Sequence, residues 1–188
     1  MTKLKVLALL VVLVLGVGLV GAARADALVP PLVNGSWAGT AYANPAFDLN
    51  NDGVAARMFT LPTYGQGEFV TLEGVLDTQL IALGCSGPAS IELRALGQVT
   101  FRSRGDDALF AEPDPTAPNL CFDLTNPNEV LVMRLIGGTG RYANATGTGT
   151  LTIHDIARLS RVVTLPGFPP LPAPLMVDSR GEFSLHIQ

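Results

Sequence analysis

The feature that most constrains this chain is a succession of short segments in which apolar and polar residues alternate, each bounded by Gly, Pro, Asn or Asp. A period of two puts the apolar set on one face of an extended strand, so such segments need a sheet with one buried side. The segments that read this way are Asn34–Tyr42, Arg57–Leu61, Glu68–Leu76, Ser90–Leu96, Val99–Arg104, Ala108–Glu112, Glu129–Ile136, Gly147–Ile156, Arg158–Leu165 and Leu175–Ile187. Beyond the N-terminal 25 residues no stretch carries a sustained helical period with caps. Gly97-Gln98 reads as a tight hairpin turn, and Arg104-Gly105-Asp106-Asp107 as another. Many short strands with glycine-rich turns predict an all-β sandwich or barrel.

The N-terminus is of another kind. Lys3 and Lys5 precede an uncharged run from Val6 to Ala23, and the run ends in Ala23-Arg24-Ala25. Basic, apolar, then A-x-A is the order a signal peptidase reads, which predicts a signal peptide over residues 1–25 and a mature chain starting at Asp26. The alternative is an uncleaved anchor, since 18 uncharged residues reach the lower limit for a span. Gly16, Gly18 and Gly21 interrupt that run just before the cleavage site and favour the signal peptide. Residues 26–188 then make one domain in a secreted or periplasmic protein. They hold no second apolar run of spanning length, so no membrane contact is expected after cleavage.

Removing the three basic residues of the leader takes the formal charge from −4 to −7. An acidic chain without a basic patch excludes nucleic acid as a partner. Cys85 and Cys121 are the only cysteines, and in an exported chain they predict one disulfide. Two cysteines and two distant histidines do not make a zinc site. Two proline-rich loops are expected, Glu112–Asn128 and Pro166–Pro174; the second reads as a stiff extended connection, with a docking motif as the alternative.

The most distinctive segment is Ile136–Leu151, which runs IGGTGRYANATGTGTL. A strand enters, glycines permit positive φ, one aromatic follows and a second glycine pair launches the next strand. Such a corner lets Tyr142 fold back and plug the end of a barrel or sandwich. Gly137, Gly138, Thr139, Gly140, Tyr142, Ala145 and Gly147 resemble, position by position, the GGTG-x-(F/Y)-x-x-A-x-G corner of the allene oxide cyclase and dirigent superfamily and of secreted bacterial proteins with the same barrel. The Gly35–Thr40 segment, the Gly65-Gln66-Gly67 turn and Gly181-Glu182-Phe183 are compatible with it. The resemblance implies a single closed antiparallel β-barrel of about eight strands whose side chains alternate between interior and exterior. It also implies chemistry directed by cavity shape, with no metal and no cofactor. The working residues of the plant members lie away from this corner and have no match here, so no catalytic residue is carried over.

Other motifs carry less. Asp48, Asn50 and Asp52, followed by Gly53, fit the first half of a calcium loop, but Phe59 stands where the bidentate glutamate belongs. An Asx-rich turn explains the same residues and is the favoured reading. A Ser-His-Asp triad lacks its G-x-S-x-G turn, and Asp155 cannot orient His154 because neighbours on a strand face opposite ways. His186 shares a face with Glu182 and Ser184, read as the solvent side. No pair of acids is nominated for glycoside hydrolysis; Glu68, Glu92 and Asp106-Asp107 read as solvated. Asn34-Gly35-Ser36 and Asn144-Ala145-Thr146 are formal glycosylation sequons, of meaning only in a eukaryotic secretory route.

Three function classes follow. The first is a barrel that binds a small apolar molecule or serves as a non-catalytic module. The second is a cofactor-free isomerase, cyclase or stereo-directing protein, which would need a polar group or two in its cavity. The third is an envelope structural or interaction protein using its outer face. Whether the chain is an enzyme is left open by the residues.

Overall fold

The computed structural model describes residues 31–65, 68–123 and 128–188. The signal-peptide reading of residues 1–25 and the mature start at Asp26 lie outside the described residues, as do Gln66 and Gly67 of the Gly65–Gly67 turn and Pro127. The described chain is all-β: β1 (Leu32–Ala43), β2 (Arg57–Tyr64), β3 (Phe69–Leu83), β4 (Ser90–Ser103), β5 (Ala108–Pro113), β6 (Leu120–Asp123), β7 (Asn128–Gly138), β8 (Gly147–Val163) and β9 (Leu171–Ile187). A single 3₁₀ turn, Gly140–Tyr142, interrupts this order between β7 and β8.

All nine strands form one antiparallel sheet, in the order β3-β2-β1-β9-β8-β7-β5-β4-β6, and β3 also pairs with β4. That last pairing closes the sheet into a ring of eight strands, and β6 is left as an extra strand along the first part of β4, where Cys121 opposes Glu92. Closure removes most of the exposed edges an open sheet would leave.

Alternation along each strand sends one set of side chains inward. Val33, Trp37 and Ala41 of β1, Leu131, Met133 and Leu135 of β7, and Phe183, Leu185 and Ile187 of β9 are all buried. The interior is crowded enough that aromatic rings need glycine partners. Gly35 pairs with Phe183, and a Cβ on residue 35 would stand 2.4 Å from the Phe183 ring.

Several boundaries differ from the sequence expectation. Gly97-Gln98 is not a turn: β4 runs unbroken through it, with Gly97 opposite Leu76 and Gln98 opposite Val75. β3 is long enough to pair on both sides of the glycine, so the turn-type residue is carried within the strand instead of reversing it. Gly97 takes φ +115°, and a Cβ there would meet the Val75 carbonyl at 2.1 Å. Gly147–Ile156 and Arg158–Leu165 merge into β8, with register shifts around Ala157 and Leu159. The second proline loop is shorter than expected, because Pro172 and Pro174 lie in β9 opposite Val162 and Ser160. β1 pairs with β9 only as far as Met176, so these prolines sit where one side of β9 has no strand to donate to. Strand β6 lies inside what reads as a continuous proline loop. The turn at Arg104–Asp107 is present, with the Ser103 N–H bonded to the Asp107 carbonyl.

Candidate functional site

One end of the ring is filled. Tyr142, on the 3₁₀ turn of the glycine corner, is fully buried and packs against Phe69 at 5.5 Å between centroids. Phe69 in turn meets Phe101 at 5.4 Å, and Phe101 meets Phe183 at 5.1 Å. The corner is held from both sides. The Thr139 N–H donates to the Ala108 carbonyl and the Thr139 hydroxyl accepts the Ala108 N–H, at 2.7 and 2.9 Å. Gly140 takes φ +56°, and Asp107 fills the space a side chain there would need. Gly137 and Gly147 also have positive φ, while Gly138 lies against the Ala108 carbonyl. Arg141 pairs with Glu68, approaches Asp107 at 3.6 Å and lies 5.0 Å over the Tyr142 ring. Glu68, expected to be solvated, is therefore a tether of the corner, and the reason is tertiary: Arg141 reaches it from the other side of the ring's end.

The opposite end is not filled. A cavity of about 390 Å³ opens there, within the range of small-molecule sites. Its walls are largely apolar: Leu76 and Leu80 from β3, Ile91 and Leu93 from β4, Phe122 from β6 and Val177 from β9. Strands β3, β4, β8 and β9 are long, and their outer halves extend past the filled core to make these walls.

A polar layer separates the cavity from the core. Arg57 on β2 and Asp155 on β8 form an ion pair, and both line the cavity together with Glu129 on β7. Asp155 uses Oδ2 for Arg57, and its Oδ1 is buried with no hydrogen-bond partner among the described residues. Burial pushes the Glu129 carboxyl above its ordinary range; the Arg57 charge draws it back down, and the Asp155 charge adds to the rise. Below this layer lies a void of about 30 Å³ between Trp37, Leu61, Leu72 and Leu151, which shares Arg57, Leu76 and Asp155 with the cavity above. Trp37 Nε1 donates to Ser179 Oγ at 3.4 Å in the same region.

Asp48, Asn50 and Asp52 come together in one loop, of which Asp52 lines the cavity, and their oxygens are engaged as in an Asx turn. Asp48 accepts the N–H groups of Asp52 and Gly53 at 3.1 and 2.8 Å. Asn50 Oδ1 accepts the Asp52 N–H at 2.9 Å, and Asp52 Oδ1 accepts that of Val54 at 2.7 Å. The loop seats on Asp77, which is 2% exposed and accepts the N–H groups of Leu49 and Thr78, both at 2.8 Å. Burial raises the Asp77 carboxyl above its ordinary range, these two N–H groups oppose the rise, and the charges of Asp52 and Asp48 add to it. The described residues hold no group of three or more His, Cys, Asp or Glu arranged for a metal ion.

The remaining sequence candidates lie elsewhere. Cys85 and Cys121 are at disulfide distance, with Cα atoms 5.8 Å apart, and tie the β3–β4 loop to β6 beside the cavity wall. His154 Nδ1 meets Asn128 Oδ1 at 2.8 Å while Asp155 points to Arg57, so these two neighbours do face opposite ways. His186 is exposed, as is Glu182. Glu92 accepts a hydrogen bond from Asn119 Nδ2 at 2.7 Å. Among the described residues no helix is long and apolar enough to cross a membrane.

Comparison with protein-family models gave no match, and comparison with curated proteins and with solved structures gave no significant one. The functional reading therefore rests on the cavity.

Arg57, Glu129 and Asp155 were not singled out as a site by sequence reasoning. A signal was there: each has the parity of the buried residues on its strand. Arg57 is two before Phe59, Glu129 two before Leu131, and Asp155 two after Ile153. A charged residue on the apolar face at the end of a strand is a candidate for a cavity lining.

Proposed function

We propose that this chain is an exported β-barrel, of the kind found in the allene oxide cyclase and dirigent superfamily, that takes up a small apolar molecule at the open end of its ring. One observation carries the reading: the ring is packed solid at the Tyr142 end and holds an apolar cavity of about 390 Å³ at the other. Removal of apolar ligand surface from water is the driving force, at roughly 25 cal/mol per Å². Delivery outside the cytoplasm follows from the leader over residues 1–25, and the Cys85–Cys121 pair suits an oxidising compartment.

Titration with the neutral apolar fluorophore N-phenyl-1-naphthylamine tests this. Saturable binding is expected, weakened at least about tenfold by Leu80→Trp, which fills the cavity without adding charge. Absence of saturable binding, or binding indifferent to Leu80→Trp, would overturn it. N-terminal sequencing of exported protein is expected to begin at Asp26.

A second reading, a cofactor-free isomerase or cyclase, is favoured by Glu129. A carboxyl held above its ordinary range by burial, inside an apolar cavity, is suited to take and return a proton. The two readings part on turnover: a binder returns its ligand unchanged, an isomerase returns an isomer, and Glu129→Gln abolishes only the latter.

A further inference from the structure

We infer that the cavity selects apolar molecules that carry a basic nitrogen, with Glu129 and Asp155 receiving the ammonium group at the cavity floor. The inference rests on the binding reading above and adds the ligand class.

The argument begins with charge. Four carboxyl groups line the cavity, those of Asp52, Asp77, Glu129 and Asp155, against one guanidinium, that of Arg57. The oxygens of Asp52 and Asp77 are occupied by Val54, Asn50, Leu49 and Thr78 donors. Arg57 is occupied by Asp155 Oδ2. One buried acceptor is left over at the floor, Asp155 Oδ1, which has no partner among the described residues, and with it stands the Glu129 carboxyl, which feels the charges of both Arg57 and Asp155. A buried acceptor without a donor costs free energy that a donor recovers. The floor therefore lacks hydrogen-bond donors and positive charge, and an alkyl- or arylammonium supplies both on an apolar body that matches the walls. A ligand carboxylate would bring more acceptors and a like charge, and is disfavoured on both counts.

Protonation sharpens this. Glu129 faces Arg57 and Asp155 across the floor and shares the cavity with Asp52 and Asp77. An incoming ammonium favours the ionised carboxylate and draws the proton off any protonated Glu129. Amine binding then releases a proton at pH values where the free cavity holds one.

The test is calorimetric titration of the full mature chain with three isosteric ligands: 4-phenylbutylamine, 4-phenylbutan-1-ol and 4-phenylbutyrate. The amine is expected to bind about tenfold more tightly than the alcohol, and the carboxylate most weakly. Glu129→Gln is expected to erase most of the preference for the amine over the alcohol. Proton release with the amine, read from titrations in buffers of different ionisation enthalpy, is expected for the wild type and lost in Glu129→Gln. If none of the three binds, the cavity reading itself fails. If the alcohol binds and the amine binds no more tightly, the inference fails alone. A carboxylate that binds best overturns it and assigns Arg57 as the recognising group. The wild-type series decides these outcomes even where the variant does not fold.

Discussion

Trp37 stands directly across from Gly181 in the β1–β9 pairing, and its indole occupies the space in which a side chain of residue 181 would begin, Cζ2 lying 2.5 Å from that point. The Thr152 carbonyl of β8 approaches the same point at 2.0 Å. The ring can thus accommodate a tryptophan in its middle only because its cross-strand partner has no side chain. Gly181→Ala is expected to lower stability by about 3 kcal/mol, since neither the indole nor the β8 backbone can move without disturbing the sheet. Gly105→Ala, in the exposed β4–β5 turn with its nearest neighbour at 4.0 Å, is expected to change it by less than about 0.5 kcal/mol. Urea unfolding of both variants checks the contrast, and equal effects would contradict it.

The Tyr142 hydroxyl is buried without a hydrogen-bond partner among the described residues, although the ring beneath it packs on Phe69. Tyr142→Phe removes the unsatisfied group and keeps the plug, so it is expected to leave stability unchanged or raise it by about 1 kcal/mol. Tyr142→Ala empties the end of the ring and is expected to cost about 3–5 kcal/mol. Thermal unfolding of the two proteins separates the contribution of the ring from that of the hydroxyl.

Cys85 and Cys121 are 36 residues apart in sequence and close a loop that includes all of β4 and β5. Linking them restricts the unfolded chain, which predicts a loss of up to about 4 kcal/mol when both are replaced by serine. The melting temperature of wild type is expected to fall under dithiothreitol and that of the double variant to be indifferent to it. A wild type insensitive to reductant would mean the pair does not contribute.

Glu129 and Asp77 are both held above their ordinary carboxyl range, chiefly by burial. A raised carboxyl binds its proton more readily in the folded than in the unfolded chain, so these two groups make stability fall as pH rises above their ordinary values of 3.8 for Asp77 and 4.5 for Glu129. Asp114 is lowered by its hydrogen bonds to Thr116 and has the opposite slope, at more acid pH. Glu129→Gln is expected to flatten the upper branch and to be more stable than wild type at pH 7. Denaturant midpoints measured between pH 4.5 and 8 supply the test; a steeper curve in the variant would refute it.

Much of the fold was legible because strand alternation is a local property. Val33, Trp37 and Ala41, or Phe183, Leu185 and Ile187, announce an inward face by spacing alone. The places where the reading failed are those where a distant partner outweighed a local signal. Gly97 does not reverse the chain, because β3 offers a pairing partner on both sides of it. Pro172 and Pro174 do not end β9, because the side of the strand they face carries no pairing with β1. Glu68 is no ordinary solvated acid, because Arg141 comes to it from a corner 73 positions away in the chain.

Composition and order of residues by themselves determined that the chain is built of strands, which side chains face inward on most of them, and that Tyr142 sits on a glycine corner able to turn back on the sheet. Those are consequences of a two-residue period and of backbone freedom at glycine, both set within a few residues. Only the tertiary structure decided that β3 meets β4 to close a ring, that one end is filled while the other is hollow, and that Arg57, Glu129 and Asp155 share one floor. The strand of Arg57 lies far along the chain from those of Glu129 and Asp155, and a charge's chemistry depends on which other charges closure brings within a few ångströms of it.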